Sequence, residues 1–199
     1  MAGTTLDWKT AKIAQNAGQL WRGLAVPGAG ARLTLAADGT PDATANPNAK
    51  HLGATKGGAK LMVKTTLQKF YVDEFRGAVV TNVDAVEMGI SAELVGVTDM
   101  ELMAWMLPGV GTRATASGYD EVAIGAKAIG YDSIALIFPL VEDITKFGVF
   151  HVYNGLNDAG VEWAQSRKEQ GFTPLSIVAY EVTSRAATDT LGKIWKQIA

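Results

Sequence analysis

The amino-acid sequence predicts an all-β fold with one flanking α-helix. Three observations lead there. Apolar and polar residues alternate from Ala59 to Val95, short apolar segments separated by turn residues recur between Glu121 and Thr183, and a single stretch, Thr98 to Leu107, joins a capping pattern to an apolar stripe of helical period. The 199 residues suffice for one domain, and the 48% hydrophobic and 19% charged residues supply a core and exclude wholesale disorder. A formal net charge of −2 lacks the basic surplus with which a nucleic-acid-coating protein neutralises phosphates. With no cysteine in the chain, disulfide frameworks, thiolate metal sites and thiol nucleophiles are excluded.

Met1 to Trp21 holds Lys9 and Lys12 among polar residues and no apolar run of the length a secretory signal needs. Gly23 to Gly58 is rich in Gly, Ala, Asn, Asp, Thr and Pro, with turn signals at Val26-Pro27-Gly28-Ala29-Gly30 and Asp38-Gly39-Thr40-Pro41, and reads as an extended arm or long loop. Loops this long in a small domain normally have a function, so the arm is the first sign of an assembly protein. The chain thus divides into an N-terminal segment with its arm, residues 1–58, for contact between subunits, and a β domain, residues 59–199.

In the β domain, Leu61, Val63, Phe70 and Val72 alternate with Lys60, Lys64, Gln68, Lys69 and Asp73, as in half-buried strands. Asp73-Glu74-Phe75-Arg76-Gly77 reads as a connection, and Ala78 to Val95 as a long β-branched strand. Val79, Thr81 and Val83 share one face of it, but Val86, Met88, Ile90, Ala92 and Leu94 are the apolar set farther on. The phase slips by one between residues 83 and 86, which calls for a β-bulge or sharp bend, because one extra residue reverses the buried side. Glu87, Gly89, Ser91 and Glu93 then occupy the polar face.

Thr98 is the expected N-cap, with Glu101 as capping-box partner, Asp99 in the first turn, and Met100, Met103, Ala104, Met106 and Leu107 as the stripe; Pro108-Gly109 ends the helix. Methionines at this spacing fit a core better than a peptide-binding surface. After a flexible stretch from Gly109 to Gly118, strands are expected at Glu121–Ile129, Ser133–Val141, Phe147–Tyr153, Val161–Arg167 and Pro174–Thr183, the spacing of a sandwich or barrel. At the end of the chain, Leu191, Ile194, Trp195 and Ile198 fit a helical stripe while Ile194, Lys196 and Ile198 alternate, so helix and strand both stay open.

No HExxH, GxSxG or GxxxxGK[ST] occurs. Gly53-Ala54-Thr55-Lys56-Gly57-Gly58 has the wrong spacing for a phosphate cradle and no helical pattern after it, so a turn before a strand accounts for it better. Gly28-Ala29-Gly30 is too short for a dinucleotide fingerprint. Asp73/Glu74 and Glu142/Asp143 read as solvated turn acids. Glu87 and Glu93 would stand about 20 Å apart on one strand, too far for an acid/base pair, and suggest an acidic stripe on a sheet surface. Trp8, Trp21, Trp105, Trp163 and Trp195 are scattered, which favours core or subunit contact over nucleic-acid stacking. An interface is the better place for Trp8, Trp21 and Trp195, because the chain ends are otherwise poor in core residues. No catalytic residue, cofactor or metal site is assigned.

The order of motifs along residues 50–199 resembles the tail tube (major tail) proteins of long-tailed bacteriophages. His51-Leu52-Gly53-Ala54-Thr55-Lys56-Gly57-Gly58 precedes paired strands with Val72-Asp73; the long strand ends at Glu93-Leu94; Thr98-Asp99-Met100-Glu101-Leu102 opens a helix; Ser166-Arg167-Lys168, Ser176-Ile177-Val178-Ala179-Tyr180 and Leu191-Gly192-Lys193-Ile194 resemble the family's last hairpin and tail. The resemblance implies a β-sandwich or split barrel with one flanking helix. Its copies would assemble as hexameric rings stacked into a hollow tube in the virion tail, built in the host cytoplasm. Strands from each subunit would form one barrel around a lumen that passes the tape measure protein and then DNA, the tube ends meeting tail terminator and distal tail or baseplate proteins. Glu87, Ser91 and Glu93 would then line the lumen, where a mild negative field repels phosphates. The arm and the Asp73, Glu74, Phe75, Arg76 turn would stack rings, with Trp8, Trp21 and Trp195 between subunits. Competing readings are the inner tube of a contractile tail or related injection system, and a soluble ligand-binding β-sandwich with an aromatic pocket. An enzyme is least supported, because no nucleophile, base and orienting group share a recognisable frame.

Overall fold

The computed structural model describes residues 18–71, 78–95, 99–116, 118–140, 143–162 and 172–198. Among them the elements run β1 (Gln19–Arg22), β2 (Lys50–His51), β3 (Thr55–Tyr71), β4 (Ala78–Val95), α1 (Met100–Met106), β5 (Gly111–Ala116), β6 (Tyr119–Ile124), β7 (Asp132–Pro139), β8 (Phe147–Asn157), β9 (Phe172–Tyr180) and β10 (Gly192–Lys196). The fold is mostly β with one short helix among the described residues, as the alternation predicts. Eight strands form one antiparallel sheet in the order β2-β1-β7-β8-β9-β4-β3, with β10 also paired to β8, and β5 and β6 form a separate hairpin. No helix among the described residues is long and apolar enough to cross a membrane.

The centre of the sheet is apolar on both faces. Ile134 and Leu136 of β7 point to one side and Ala135 and Ile137 to the other, and all four are buried, as in a strand covered twice. On the first face they join Leu20, Ile90, Leu94, Phe150, Val152, Leu175 and Ile177, under α1. On the second they meet Leu24, Leu33 and Val149, ringed by Trp21, Phe147 and Trp195.

Leu24 and Leu33 belong to the segment expected to extend as an arm. Residues 23–49 instead lie back on the chain's own sheet and form its second core layer. The buried Asn46 fixes that path: its amide nitrogen donates to the Asp42 and Thr34 carbonyls, and its oxygen accepts from Ala25 N–H at 3.1 Å. The periodicity reading missed this layer because its contacts come from turns and isolated leucines.

Asp99 is the N-cap of α1, accepting from Glu101 N–H at 2.8 Å; Thr98, the expected cap, lies outside the described residues. Leu102, Ala104 and Met106 are the buried helix residues, so the core-facing line passes through Leu102, one turn before Met106, and leaves Met103 half-buried. Further differences follow from neighbours. Gly111–Ala116 is a strand because Tyr119–Ile124 pairs with it, and Gly192–Lys196 is a strand because β8 offers it an edge. The short β1 and β2 carry no alternation of their own, Val161 and Glu162 are outside any strand, and residues 163–167 are outside the described set.

Asn157, also buried, joins three elements. Its amide nitrogen donates to the Met106 carbonyl at the end of α1 (2.8 Å) and to Gly160 (3.3 Å), and its oxygen accepts from Ser176 N–H on β9 (3.0 Å). Asn157→Ala leaves buried backbone groups without partners and is expected to destabilise the fold by about 1–3 kcal/mol; urea titration followed by tryptophan fluorescence measures it, and an unchanged midpoint would refute the assignment.

Candidate functional site

The sheet's outermost pair, β3 and β4, contains 17 and 18 residues, roughly 55–60 Å if fully extended. Three register shifts interrupt their ladder. Lys56 faces Glu93 and Ala59 faces Ala92, leaving Gly57 and Gly58 extra on β3; Thr66 faces Ala85 and Leu67 faces Val83, leaving Asp84 extra on β4; Phe70 faces Val80 and Tyr71 faces Ala78. The shift at Asp84 is the bulge that the apolar phase demands. It puts Val83 and Val86 on the same side as Met88, Ile90 and Leu94, so a single apolar face runs through the slip.

That face outruns its cover. Leu94, Ile90 and Met88 are buried under the first core layer, whereas Val86 is 46% and Val83 61% exposed, beside Val63 and Leu67 of β3 at 54% and 50%. Strand pairing ends at the same place. β9 pairs with Gly89–Val95, and among the described residues no strand pairs with the free edge of residues 81–88 or with the outer edge of β3.

The cause lies at the C-terminal end. β9 and β10 lie on the same edge of β8, at residues 154–157 and 148–152 respectively, so they form one strand line interrupted by residues 181–191. That excursion stands where β4 would otherwise continue its pairing, and a groove of about 490 Å³ remains between Val83, Val86 and Met88 on one side and Thr188, Leu191 and Ile194 on the other. Arg185 ties the excursion down: its guanidinium donates to the Asp189 carboxylate (2.6 Å) and the Pro27 carbonyl (2.6 Å) and lies 4.1 Å from the Tyr153 ring centre. Tyr153 donates its hydroxyl to Asp189, and burial together with that carboxylate pushes the phenol up to about 12. Gly192 lets β10 close on β8, because a Cβ there would lie 2.2 Å from the His151 carbonyl oxygen.

The opposite face of the hairpin carries Glu87, Ser91 and Glu93, all exposed, as the sequence places them. They do not form an acidic stripe, however. Lys64 faces Glu87 with 3.7 Å between charged atoms, Lys60 faces Ser91 and Lys56 faces Glu93, so lysines match or outnumber the carboxylates. Alternation is a property of one strand at a time, and the cross-strand register supplies the cations. Asp73, Glu74, Phe75, Arg76 and Trp8 lie outside the described residues. Trp21 and Trp195 pack against the chain's own second core layer, leaving only part of each side chain for a neighbour.

Two further polar clusters hold the body together. Glu101 on α1 accepts from Lys50, from Arg22 at 2.8 Å and from Arg113 at 3.2 Å, and the Lys50 hydrogen bond leads in holding its carboxyl below the usual range. Ser133 Oγ and His151 Nε2 lie 2.7 Å apart inside the sheet, where His151 is 1% exposed. In comparisons with known proteins, no family model and no curated protein matches this chain.

Burial, and secondarily the charge of Arg185, holds the His151 imidazole down at about 4 from an ordinary 6.5. The unfolded chain therefore binds this proton more tightly, and the contribution is intact above pH 6.5 and lost as pH falls through about 4. It amounts to about 3 kcal/mol. Denaturation midpoints between pH 7 and pH 3.5 should fall less steeply in His151→Gln than in the wild type; identical slopes would contradict the assignment.

Proposed function

We propose that this chain is a structural subunit that polymerises as the tail tube proteins it resembles do, in hexameric rings stacked around a lumen for a tape measure protein and then DNA. The observation that carries the reading is the β3–β4 hairpin, which runs beyond the core with an apolar face left uncovered and two edges left unpaired among the described residues. An exposed edge of this length is an aggregation hazard unless it has a specific mate. A second copy supplies one.

Charge favours one pairing over the other. β3 carries Lys56, Lys60, Lys64 and Lys69 and no acid, whereas β4 carries Asp84, Glu87 and Glu93 and no base. Joining two β3 edges through a twofold axis sets lysines against lysines, and like charges on adjacent strands destabilise a sheet. Joining β3 to the free stretch of β4 in the next copy sets lysines against carboxylates. That contact uses two different surfaces, so every copy added leaves one of each open, and the series closes into a ring or continues as a filament. Rotation about an axis along the strands keeps each β4 antiparallel to the neighbouring β3, extending the existing pattern around a barrel. Glu87, Ser91 and Glu93, with Lys56, Lys60 and Lys64 beside them, then face the lumen, and the apolar face packs outward against the next subunit.

Concentrated wild-type protein is expected to form rings or hollow tubes in negative-stain electron microscopy. The double variant Val83→Glu/Val86→Glu, changed only at exposed positions, should keep the wild-type circular dichroism spectrum and fail to assemble. Equal assembly by the variant would overturn the hairpin interface, and a wild type that stays monomeric at every concentration would count against polymerisation.

A further inference from the structure

We propose that the base of the β3–β4 hairpin is a binding site for phosphate groups, with the backbone of a nucleic acid as the favoured source. A shallow cleft of about 560 Å³ opens there on the polar face, lined by Lys56, Gly57, Gly58, Lys60, Ser91 and Ser176, with Glu93 at its side. It includes the glycines of the motif whose spacing fits no known phosphate loop.

Four features make this cleft suited to an anion. Lys60 faces Ser91 across the ladder, and no carboxylate stands opposite it. Lys56 faces Glu93, and its ammonium sits 3.8 Å from the centre of the Phe172 ring, which holds that charge at the rim. Gly57 and Gly58 have φ of 72° and 82° and no register partner on β4, and a Cβ on either would meet nothing within 4 Å, so a ligand can approach the backbone itself. Ser91 and Ser176, register partners on β4 and β9, add two hydroxyl donors.

The register also spaces the cations. Lys56, Lys60 and Lys64 stand opposite residues 93, 91 and 87, so the intervals along β4 are two and four residues, about 7 and 13 Å. Intervals of one to two suit a regularly repeating anion better than a lone one. Each glutamate on this face is matched by a lysine, Glu93 by Lys56 and Glu87 by Lys64, and Lys60 is the surplus. One uncompensated charge per copy gives weak attraction. The inference stands on the single chain and does not require the tube.

The test titrates purified protein against a fluorescent single-stranded oligonucleotide at low salt, and separately follows the Gly57, Gly58 and Ser91 amide resonances against inorganic phosphate. Lys60→Gln is expected to weaken oligonucleotide binding about threefold and to lower the salt slope by about 0.7, the share of one phosphate contact. Glu93→Gln, which removes the carboxylate from the cleft, should tighten binding, and Lys146→Gln in the β7–β8 connection should change nothing. Oligonucleotide binding with these responses supports a nucleic-acid source; resonance shifts with phosphate alone support the cleft with a small phosphate-bearing ligand. Oligonucleotide binding unaltered in both Lys60→Gln and Glu93→Gln, or no response to either probe, overturns the proposal. Ring and tube formation is read separately by microscopy, so failure here leaves the assembly reading untouched.

Discussion

The mismatch between the length of the β3–β4 hairpin and the cover available to it governs this structure. Core and pairing run out together at Met88 and Gly89: up to there β4 has the first core layer on its apolar face and β9 on its edge, and past it, among the described residues, neither. A two-stranded ribbon has no independent stability in water, because it buries too little to offset the entropy of ordering it. The hairpin holds its line because its inner half is anchored in a doubly covered sheet. The excursion at residues 181–191 completes the separation by diverting the strand that β4 would otherwise meet, and Arg185 pins it through Asp189, Tyr153 and Pro27. The same chain therefore builds a closed body and an open edge.

Much of this was legible in the sequence, and the parts that were not have a common cause. The apolar phase slip at residues 83–86 pointed to a bulge, and the register locates it at Asp84, because side-chain period is a local property that one strand records by itself. The capped helix and the strand class of residues 132–157 were legible for the same reason. Partners were not. The lysines opposite Glu87 and Glu93, the mate that makes Gly111–Ala116 a strand, and the leucines that bring residues 23–49 onto the sheet all depend on which segments meet. Asn46 and Asn157, which fix two such meetings, look in sequence like ordinary turn residues; their importance comes from burial and from the three backbone groups each satisfies.

The lysines alter the physics of the polar face. A purely acidic wall would hold phosphates at a distance; a face with cations and anions in cross-strand register presents short-range structure and little net field at a distance beyond a Debye length. Passing polyanions would meet many weak, screened contacts. Such contacts break quickly, so in the proposed tube this face would guide a polyanion without retaining it, and the placement of the unmatched Lys60 at the hairpin base would limit retention further.

A lysine at roughly every fourth position of an edge strand also guards a single copy against the wrong neighbour. Charged edges are how monomeric β proteins prevent indiscriminate pairing, and β3 has that defence along its length. The defence is selective. It opposes a second β3 edge and favours a β4 edge bearing Asp84 and Glu87, so in the proposed assembly the lysines that keep the wrong neighbour away would recruit the right one. In the proposed assembly each contact is exposed and individually weak, so a few copies would not hold together. Only when several edges and apolar faces engaged together would association exceed its entropic penalty. In the proposed assembly, growth would be set by nucleation, and an initiating surface that already displays the complementary edge would determine where it begins.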